Sequence, residues 1–474
     1  MKKILSLMLA LLLCVSAVSS ASAASAEEWD RYWAGEESQH GVIMFAGSDE
    51  TERNFSWYSA KESTPTVEIT VSGGETKIFS GYCVKTYSGD YANKVTATGL
   101  EAGKEYSYVC KSEGYASDVY KFKTEDDKSF SAIYVTDVHV SVDENDEASL
   151  KNCSLNFNNV IENAMEKNRD ISLLLSAGDQ ASLGLECEYK AYSASPSLRT
   201  ISTATAFGNH DRKAVDYKTF KNYPNEKTNN LVGEYNAMDY WFVKGDVLFM
   251  VMNSNNGSGI DHHNFVKESV KANPDVKWRI MMFHHDLQGG RIESRESENK
   301  FLRLIWGPIC DEFKIDLVLL GHSHYYTVSA PVYGGEKVGS IAPNATVTDP
   351  AGTVYMVSGS INRPRELKDG EIPPLGSNIA IDKLTSEKIY NIIDFSEDSI
   401  TVKSYTLESG EMFNSYTIAK TSRDGGHPSK LAPFYQPIVR FLGTVFAFFN
   451  NFSTYNRVKD NGINANLGEF IFAH

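Results

Sequence analysis

The chain has 474 residues, of which 42% are hydrophobic and 23% charged, and its formal net charge at pH 7 is -15. This length leaves room for two or three domains with a substantial core, so disorder over most of the chain is excluded. The acidic balance argues against binding to nucleic-acid backbones or to anionic lipid, and any anionic ligand would need a concentrated local positive charge.

The first 24 residues are typical of a secretory signal peptide. Lys2 and Lys3 precede an apolar run over residues 4–18, and small residues follow at 21–23. This order of charged, apolar and small residues predicts cleavage near Ala23 or Ala24. The apolar run is too short for a membrane-spanning helix, which needs about 20 residues. We therefore expect the mature protein to be secreted or held at the cell surface.

Residues 39–126 alternate short apolar runs with turn residues. The runs cover residues 42–45, 54–58, 67–71, 94–97, 106–110 and 119–122. Strands of this length at this spacing predict an all-β sandwich domain. No residue pattern in it is typical of a catalytic site.

Five cysteines remain after the predicted cleavage, which leaves at least one without an intramolecular partner. Cys83 and Cys110 fall in the same β-rich segment, and an exported protein permits disulfides, so this pair is the first candidate for a bond. The alternative is that all five are small buried hydrophobic residues.

From residue 127 to about residue 420, apolar runs alternate with amphipathic segments. The predicted strands are residues 132–135, 171–175, 203–207, 247–252, 279–283 and 317–320, and the predicted helices are residues 150–165, 263–271 and 300–313. Alternating strands and helices predict an α/β fold. In such folds ligands bind beyond the carboxyl ends of the strands.

Five polar segments each follow an apolar run of this region. They are Asp137-Val138-His139, Gly178-Asp179, Gly208-Asn209-His210-Asp211, His284, and Gly321-His322-Ser323-His324. Asp137 and His139, two residues apart on an extended backbone, would project to one face and hold a cation together. The Asp179 carboxylate has two oxygens and can bridge two cations. Mixed nitrogen and oxygen ligands suit manganese, iron or zinc.

This set of motifs resembles the metallophosphoesterase (calcineurin-like phosphoesterase) superfamily, and within it the purple acid phosphatase branch. The resemblance implies a four-layer α/β sandwich preceded by a fibronectin type III-like domain. In that domain the turn over residues 98–106 would place Tyr106 to bond back to the backbone. It also implies two divalent metal ions, one bound by Asp137, His139, Asp179 and His324, and the other by Asp179, Asn209, His284 and His322.

Two positions depart from the purple acid phosphatase pattern. His139 stands where those enzymes have Gly, and Ser182 stands where they have a metal-binding Tyr. A coloured tyrosinate-ferric site is therefore not expected. The additional histidine fills a coordination position, as it does in the wider superfamily.

The family mechanism is hydrolysis of a phosphoric ester by attack of a hydroxide that bridges two cations about 3.5 to 4 Å apart. His210 would stabilise the transition state or protonate the leaving oxygen, with Asp211 orienting it. The alternative is that His210 only supports Asn209. Phosphate oxygens could be bound by Arg212, or by Arg363 and Arg365, and His285 could touch substrate. His262 and His263 are expected at the surface.

Residues 421–474 form a C-terminal tail with an aromatic segment at residues 437–449. We expect this segment to be a helix packed on the protein's own surface. The alternative is an amphipathic anchor that contacts a membrane.

Three functions fit these observations. The first is an exported phosphomonoesterase, and the second is a phosphodiesterase that uses the same site. The third, from a different class, is a cell-surface binding protein whose metal site is structural. An open bimetal face beside His210 argues against the third.

Overall fold

The computed structural model describes residues 26–35, 39–142, 147–211, 217–227, 238–288, 296–365, 375–428, 436–445 and 447. The predicted signal peptide lies outside these residues, as does Arg212. A short helix over residues 26–34, α1, precedes the first strand.

The N-terminal domain is the predicted β-sandwich. One sheet contains β1 (Gln39–Ala46), β2 (Arg53–Ser59), β5 (Tyr82–Lys85) and β6 (Tyr91–Ala97), and the other contains β3 (Thr66–Val71), β4 (Thr76–Ser80), β7 (Glu105–Ser112), β8 (Tyr115–Ala116) and β9 (Tyr120–Lys123). Trp57 from the first sheet and Val67 and Tyr108 from the second are buried in the shared core. The Glu101 backbone N–H donates to the Tyr106 hydroxyl at 2.7 Å, which confirms the predicted tyrosine contact.

The first sheet of the α/β region continues the N-terminal sheet. It adds β10 (Phe130–Val135), β11 (Ile171–Ser176), β12 (Ser202–Thr205), β20 (Thr346–Thr348), β23 (Ile389–Phe395), β24 (Ser399–Thr406) and β25 (Met412–Ala419). The order is β20-β25-β24-β23-β10-β11-β12-β1-β2-β6-β5, with β10, β11 and β12 parallel. Strand β1 pairs in parallel with β12 at Phe45 and Thr203. One 11-stranded sheet therefore runs through both domains.

The second sheet has seven strands in the order β13-β14-β15-β16-β21-β17-β22. These are β13 (Tyr240–Lys244), β14 (Val247–Val251), β15 (Trp278–Met282), β16 (Leu317–Leu320), β17 (Tyr326–Ser329), β21 (Val354–Val357) and β22 (Ile379–Lys383). Strands β14, β15, β16 and β21 are parallel neighbours. A small hairpin pairs β18 (Val332–Tyr333) with β19 (Glu336–Lys337).

Helices cover the outer face of each sheet and give the predicted four layers. They are α2 (Glu147–Lys167), α3 (Glu186–Tyr192), α4 (Tyr217–Phe220), α5 (Gly259–Ala272), α6 (Glu296–Glu312) and α7 (residues 436–445), with a 3-10 helix at Pro196–Arg199. Phe157 of α2 packs in the core under the first sheet, and Phe265 and Trp306 of α5 and α6 pack under the second. A third core, which includes Leu175 and Phe249, fills the space between the sheets.

The cysteines do not form the predicted pair. Cys83 lies on β5 and Cys110 on β7, in opposite sheets, and both are free thiols. The Cys83 Sγ donates to the Ser63 carbonyl at 3.1 Å, and Cys110 is buried in the sandwich core. Burial of all five is also wrong, because Cys187 is exposed.

His262 is not at the surface, as the sequence had suggested, but fully buried. Its ring nitrogens lie 2.7 Å from Asp239 Oδ2 and 2.7 Å from the Asn256 carbonyl. His263, which is partly buried, contacts Glu312 Oε1 at 2.9 Å. The pairing partner of His262 is 23 residues away along the chain, so the local pattern around it could not reveal the burial.

Helix α7 lies against α5 and α6. The Ser258 hydroxyl donates to Thr444 Oγ1 at 3.2 Å, and Arg440 pairs with Glu312 at 2.7 Å. The opposite face exposes Ile438, Phe441 and Leu442. Among the described residues, no helix is both long and apolar enough to cross a membrane.

Candidate metal centre

Five loops at the carboxyl ends of parallel strands bring the predicted ligands together. Asp137 and His139 follow β10, Asp179 follows β11, and Asn209 follows β12 in the first sheet. The remaining ligands follow the second sheet, with His284 after β15 and both His322 and His324 after β16. The strands are neighbours within each sheet, and the sheets face one another across a shared core, so the loops meet at one end of the molecule.

The backbone at these ligands is left-handed rather than extended. The φ angles are positive at five of them, namely Asp137 (50°), His139 (48°), Asp179 (52°), His322 (75°) and His324 (60°). Asp137 and His139 therefore do not share a face through strand geometry, which corrects the extended-backbone expectation. Left-handed non-glycine residues cost about 1–3 kcal/mol each, and such strain clusters at functional sites.

Two motif glycines let the loops approach closely. A Cβ on Gly321 would lie 1.9 Å from Thr136 Oγ1 and 2.5 Å from Asp137 Oδ2. A Cβ on Gly208 would lie 2.0 Å from Asp179 Oδ1. Only glycine fits where the backbone itself contacts the side chains that surround the site.

The side chains of the first ligand group converge. His324 Nε2 lies 3.1 Å from Asp137 Oδ1 and 3.1 Å from His139 Nε2. His139 Nε2 lies 3.6 Å from both Asp137 Oδ1 and Asp179 Oδ2. These separations are those of ligand atoms that share one cation.

A second group forms around Asp179. His284 Nε2 lies 3.1 Å from Asp179 Oδ2, 3.1 Å from Asn209 Oδ1 and 3.9 Å from Asp137 Oδ1. Asp179 thus stands between the two groups, as a bridging carboxylate would. His322 contributes its backbone, whose N–H donates to Asp137 Oδ2 at 2.8 Å, while its ring Nε2 lies 3.4 Å from Glu298 Oε2.

Hydrogen bonds on the far side of each ring point its Nε2 inward. His284 Nδ1 lies 2.9 Å from the Ala177 carbonyl, and His324 Nδ1 lies 2.7 Å from the Arg363 carbonyl. Because a carbonyl only accepts, each Nδ1 carries the proton and leaves Nε2 free as a metal ligand. His139 Nδ1 lies 3.3 Å from the Ser182 hydroxyl, so the residue that replaces the tyrosine ligand supports the additional histidine.

The carboxylates of Asp137 and Asp179 make the space between the ligands favourable for positive charge. Burial opposes ionisation of Asp179, but the imidazoles of His284, His139 and His210 together lower the pKa of its carboxyl. Burial disfavours the His284 imidazolium, but Asp179 and Asp137 raise its pKa to about 9. Burial lowers the pKa of His139 to about 4, so that ring is neutral and able to bind a metal. A divalent cation would take the place of the proton that these carboxylates attract.

The hydrogen bonding of Asp137 Oδ1 shows whether a metal ion would fit between these ligands. This buried atom has no hydrogen-bond partner in the part of the chain that the structure describes. Its sister oxygen Oδ2 accepts from Thr136 Oγ1 at 2.8 Å and from the His322 backbone. A buried carboxylate oxygen without a donor is costly unless a cation neutralises it. The donor set therefore fits divalent metal ions.

His210 and Asp211 have separate contacts. His210 Nδ1 lies 2.6 Å from the Ser182 carbonyl, which orients the ring toward His139, 4.8 Å away between ring centroids. The Asp211 carboxylate instead holds backbone, since it accepts from the N–H groups of Asp179 and Gly208 at 2.8 and 2.9 Å. The expectation that Asp211 orients the His210 ring is thereby replaced by a role for Ser182.

The structure describes three of the four residues that were predicted to contact phosphate or substrate. Arg212 lies outside the described residues. The Arg363 carbonyl holds His324, and the Arg365 guanidinium lies 5.9 Å from the Tyr325 ring. His285 is buried beside His322, with ring centroids 4.5 Å apart, and its Nδ1 lies 2.8 Å from Ser254 Oγ.

Glu298 was not among the predicted site residues. Its carboxylate reaches His322 and His285 from the first turn of α6, and the three form one potential metal-binding group. Glu298 belongs to no motif after a strand, so no sequence pattern identified it as a site residue.

Comparison with protein families agrees with this geometry. Residues 131–326 match the family model "Calcineurin-like phosphoesterase", and residues 38–124 match the model "Purple acid Phosphatase, N-terminal domain". The chain carries a calcineurin-like phosphoesterase domain behind a purple acid phosphatase N-terminal domain. These domain matches imply a metal-dependent phosphoester hydrolase. No curated protein matches the sequence.

Solved structures share the fold of this phosphoesterase. Purple acid phosphatase PPD1 from yellow lupin (Lupinus luteus) seeds is 15% identical, with a TM-score of 0.67 over 84% of this chain and 78% of the lupin chain. The structure of PhoD is 11% identical, with a TM-score of 0.51 over 88% of this chain and 98% of PhoD. At these identities the similarity shows the fold, and the chemistry is argued from the site.

Proposed function

We propose that this phosphoesterase is an exported enzyme that hydrolyses phosphomonoesters with two divalent metal ions. The observation that carries the proposal is the convergence of Asp137, Asp179 and three histidine Nε2 atoms on one space, with Asp137 Oδ1 left without a hydrogen-bond donor among the described residues. Asp179 lies in both ligand groups, which supports a pair of cations with one shared carboxylate.

The ligands would hold the first cation through Asp137, His139, Asp179 and His324, and the second through Asp179, Asn209, His284 and His322. Two bound divalent cations would activate a water molecule and neutralise the oxygens of a phosphoryl group. Manganese, iron or zinc suits this mixture of imidazole, amide and carboxylate ligands. No tyrosine stands at the Ser182 position, which disfavours the ferric, coloured form.

His210 is placed to act on the ester. The Ser182 carbonyl accepts the proton of Nδ1, which fixes the orientation of the ring. His210 also shares a cluster with His139 and Asp179, within 4.8 Å between ligand atoms. It would stabilise the developing charge or protonate the leaving oxygen. His285 lies beside His322 and would contact the phosphate or its substituent.

Export is proposed from the first 24 residues, whose order of charged, apolar and small residues is that of a secretory signal. An amino-terminal sequence of the protein released by a secreting host tests this. A mature chain that begins near residue 25 is expected, and retention of Met1 would contradict it.

The reaction is tested with para-nitrophenyl phosphate and its bis-ester, each in the presence of manganese or zinc. Faster turnover of the monoester is expected. Preference for the bis-ester would assign a phosphodiesterase, and hydrolysis of neither would remove the small-ester proposal. Metal analysis of the reconstituted protein should give two equivalents, whereas fewer would favour a binding protein with a structural site.

A further inference from the structure

A half-exposed carboxylate lies beside the second ligand group. The Glu298 side chain is 44% exposed, and its Oε2 is 3.4 Å from His322 Nε2. Its other oxygen, Oε1, is 3.9 Å from His285 Nε2. The ligand atoms of these three residues all lie within 4.8 Å of one another.

Both histidines present Nε2 to Glu298. Ser254 occupies the far side of His285, with Oγ 2.8 Å from Nδ1, which leaves Nε2 as the ring nitrogen that faces the carboxylate. His322 is 6% exposed. The centroid of its ring lies 5.1 Å from that of His284 and 4.5 Å from that of His285. The negative charge of Glu298 therefore faces the two imidazole rings.

The separation of the two nearest atoms matches a shared cation. Two ligands that each bind one metal at about 2.1 Å lie about 3.0 Å apart at right angles and about 3.4 Å apart at the tetrahedral angle. The ligand pairs described above lie 3.1 to 3.9 Å apart, and Glu298 Oε2 lies 3.4 Å from His322 Nε2. The spacing of Glu298 is thus that of a ligand.

We propose that Glu298 is a further ligand of the cation held by His322, and that this carboxylate is displaced when phosphate binds. The inference rests on the proposed two-metal function. Glu298 is the exposed member of its group, while His285 and His322 are buried, so it is the ligand most able to swing away. Its negative charge would strengthen the second metal position and compete with the anionic substrate for it.

The test is Glu298→Gln, which keeps the size of the side chain and removes its charge. Manganese binding to the full chain is followed by calorimetry. The wild type should bind two equivalents, and the variant should bind one of them about tenfold or more weakly while the other is unchanged. His322→Ala should weaken the same equivalent. Glu268→Gln on α5, which also removes an exposed carboxylate, is the matched control and should behave as wild type.

A second measurement uses inorganic phosphate. With both metal positions saturated, phosphate should bind Glu298→Gln more tightly than wild type, because the competing carboxylate is gone. Unchanged metal and phosphate binding would overturn the proposal, as would a lower melting temperature of the metal-free variant, which would assign Glu298 to the fold. If the wild type itself binds fewer than two equivalents, it is the two-metal function that fails.

Discussion

The Asp211 carboxylate holds the backbone of Asp179, with Oδ2 2.8 Å from the Asp179 nitrogen. The same oxygen accepts from the Gly208 N–H at 2.9 Å, and Oδ1 accepts from the Tyr189 hydroxyl at 2.9 Å. One buried carboxylate thus ties the loop after β11 to the loop after β12. The spacing between Asp179 and Asn209 depends on it.

Replacement of Asp211 by Asn should disturb this spacing. Donors face both carboxylate oxygens, so the amide NH₂ would meet a donor in either orientation. We expect metal affinity to fall about 10- to 100-fold and the unfolding free energy to fall by about 1–3 kcal/mol. Tyr189→Phe, which removes one donor and keeps the ring, is the control, with a loss of about 1 kcal/mol. Metal titration and urea unfolding measure both, and equal effects of the two substitutions would contradict this role.

His210→Ala should slow hydrolysis while leaving metal content intact. The ring is held by the Ser182 carbonyl and is not assigned to either cation, so its loss removes proton transfer or charge stabilisation, worth about 10²- to 10⁴-fold in rate. Asp179→Ala is the contrast, because it should abolish hydrolysis and release metal together. Turnover and metal analysis on the same samples separate the two. Loss of metal from His210→Ala to the same extent would show that its assigned role is wrong.

Gly321→Ala should prevent the site from forming. The added methyl would overlap Thr136 Oγ1 and crowd Asp137 Oδ2, so the loop that bears His322 and His324 must move away. Metal binding should be lost, with little residual activity. Gly307→Ala in α6 is the matched control, since its Cβ would meet nothing within 4 Å outside its own helix and chain neighbours, and it should leave metal binding unchanged. A Gly321→Ala protein that retains two equivalents of metal would contradict this.

The buried His262 makes stability depend on pH through Asp239. Burial disfavours the imidazolium, but the Asp239 carboxylate outweighs it and raises the pKa of His262 above 6.5. Because the folded value exceeds the unfolded one, this stabilisation is complete below about pH 6.5 and is lost as pH rises through the folded pKa. Asp239→Asn should therefore lower the unfolding free energy more near pH 6 than near pH 9. Urea unfolding at both values measures it, and an equal loss would refute the charged pair.

Much of the fold could be predicted from local patterns. The run Leu317–Leu320 is a strand over the same residues, and the predicted helix at residues 150–165 lies within α2. Continuous apolar runs between turn residues and apolar residues at helical spacing specify these elements without tertiary context. The polar segments at strand ends then locate the site, because parallel strands end at one edge.

What the sequence missed depends on residues far apart in the chain. Glu298 reaches His322 from the start of α6, and His262 of α5 pairs with Asp239, the residue before β13. The left-handed backbone at Asp137 and His139 is imposed by the neighbouring loop, whose Gly178 and Asp179 carbonyls accept their N–H groups at 3.0 and 2.9 Å. Nothing in the pattern of residues 137–139 encodes that neighbour.

The pairing of β1 with β12 makes the amino-terminal sandwich more than an appended module. Strands β1, β2, β6 and β5 of this domain extend the catalytic sheet beyond β12. Without them β12 would be an edge strand with unpaired backbone N–H and C=O groups. An exposed edge strand can pair with strands of other chains. A shortened enzyme that begins at β10 would thus be prone to self-association, and the two domains are best regarded as inseparable parts of one folding unit.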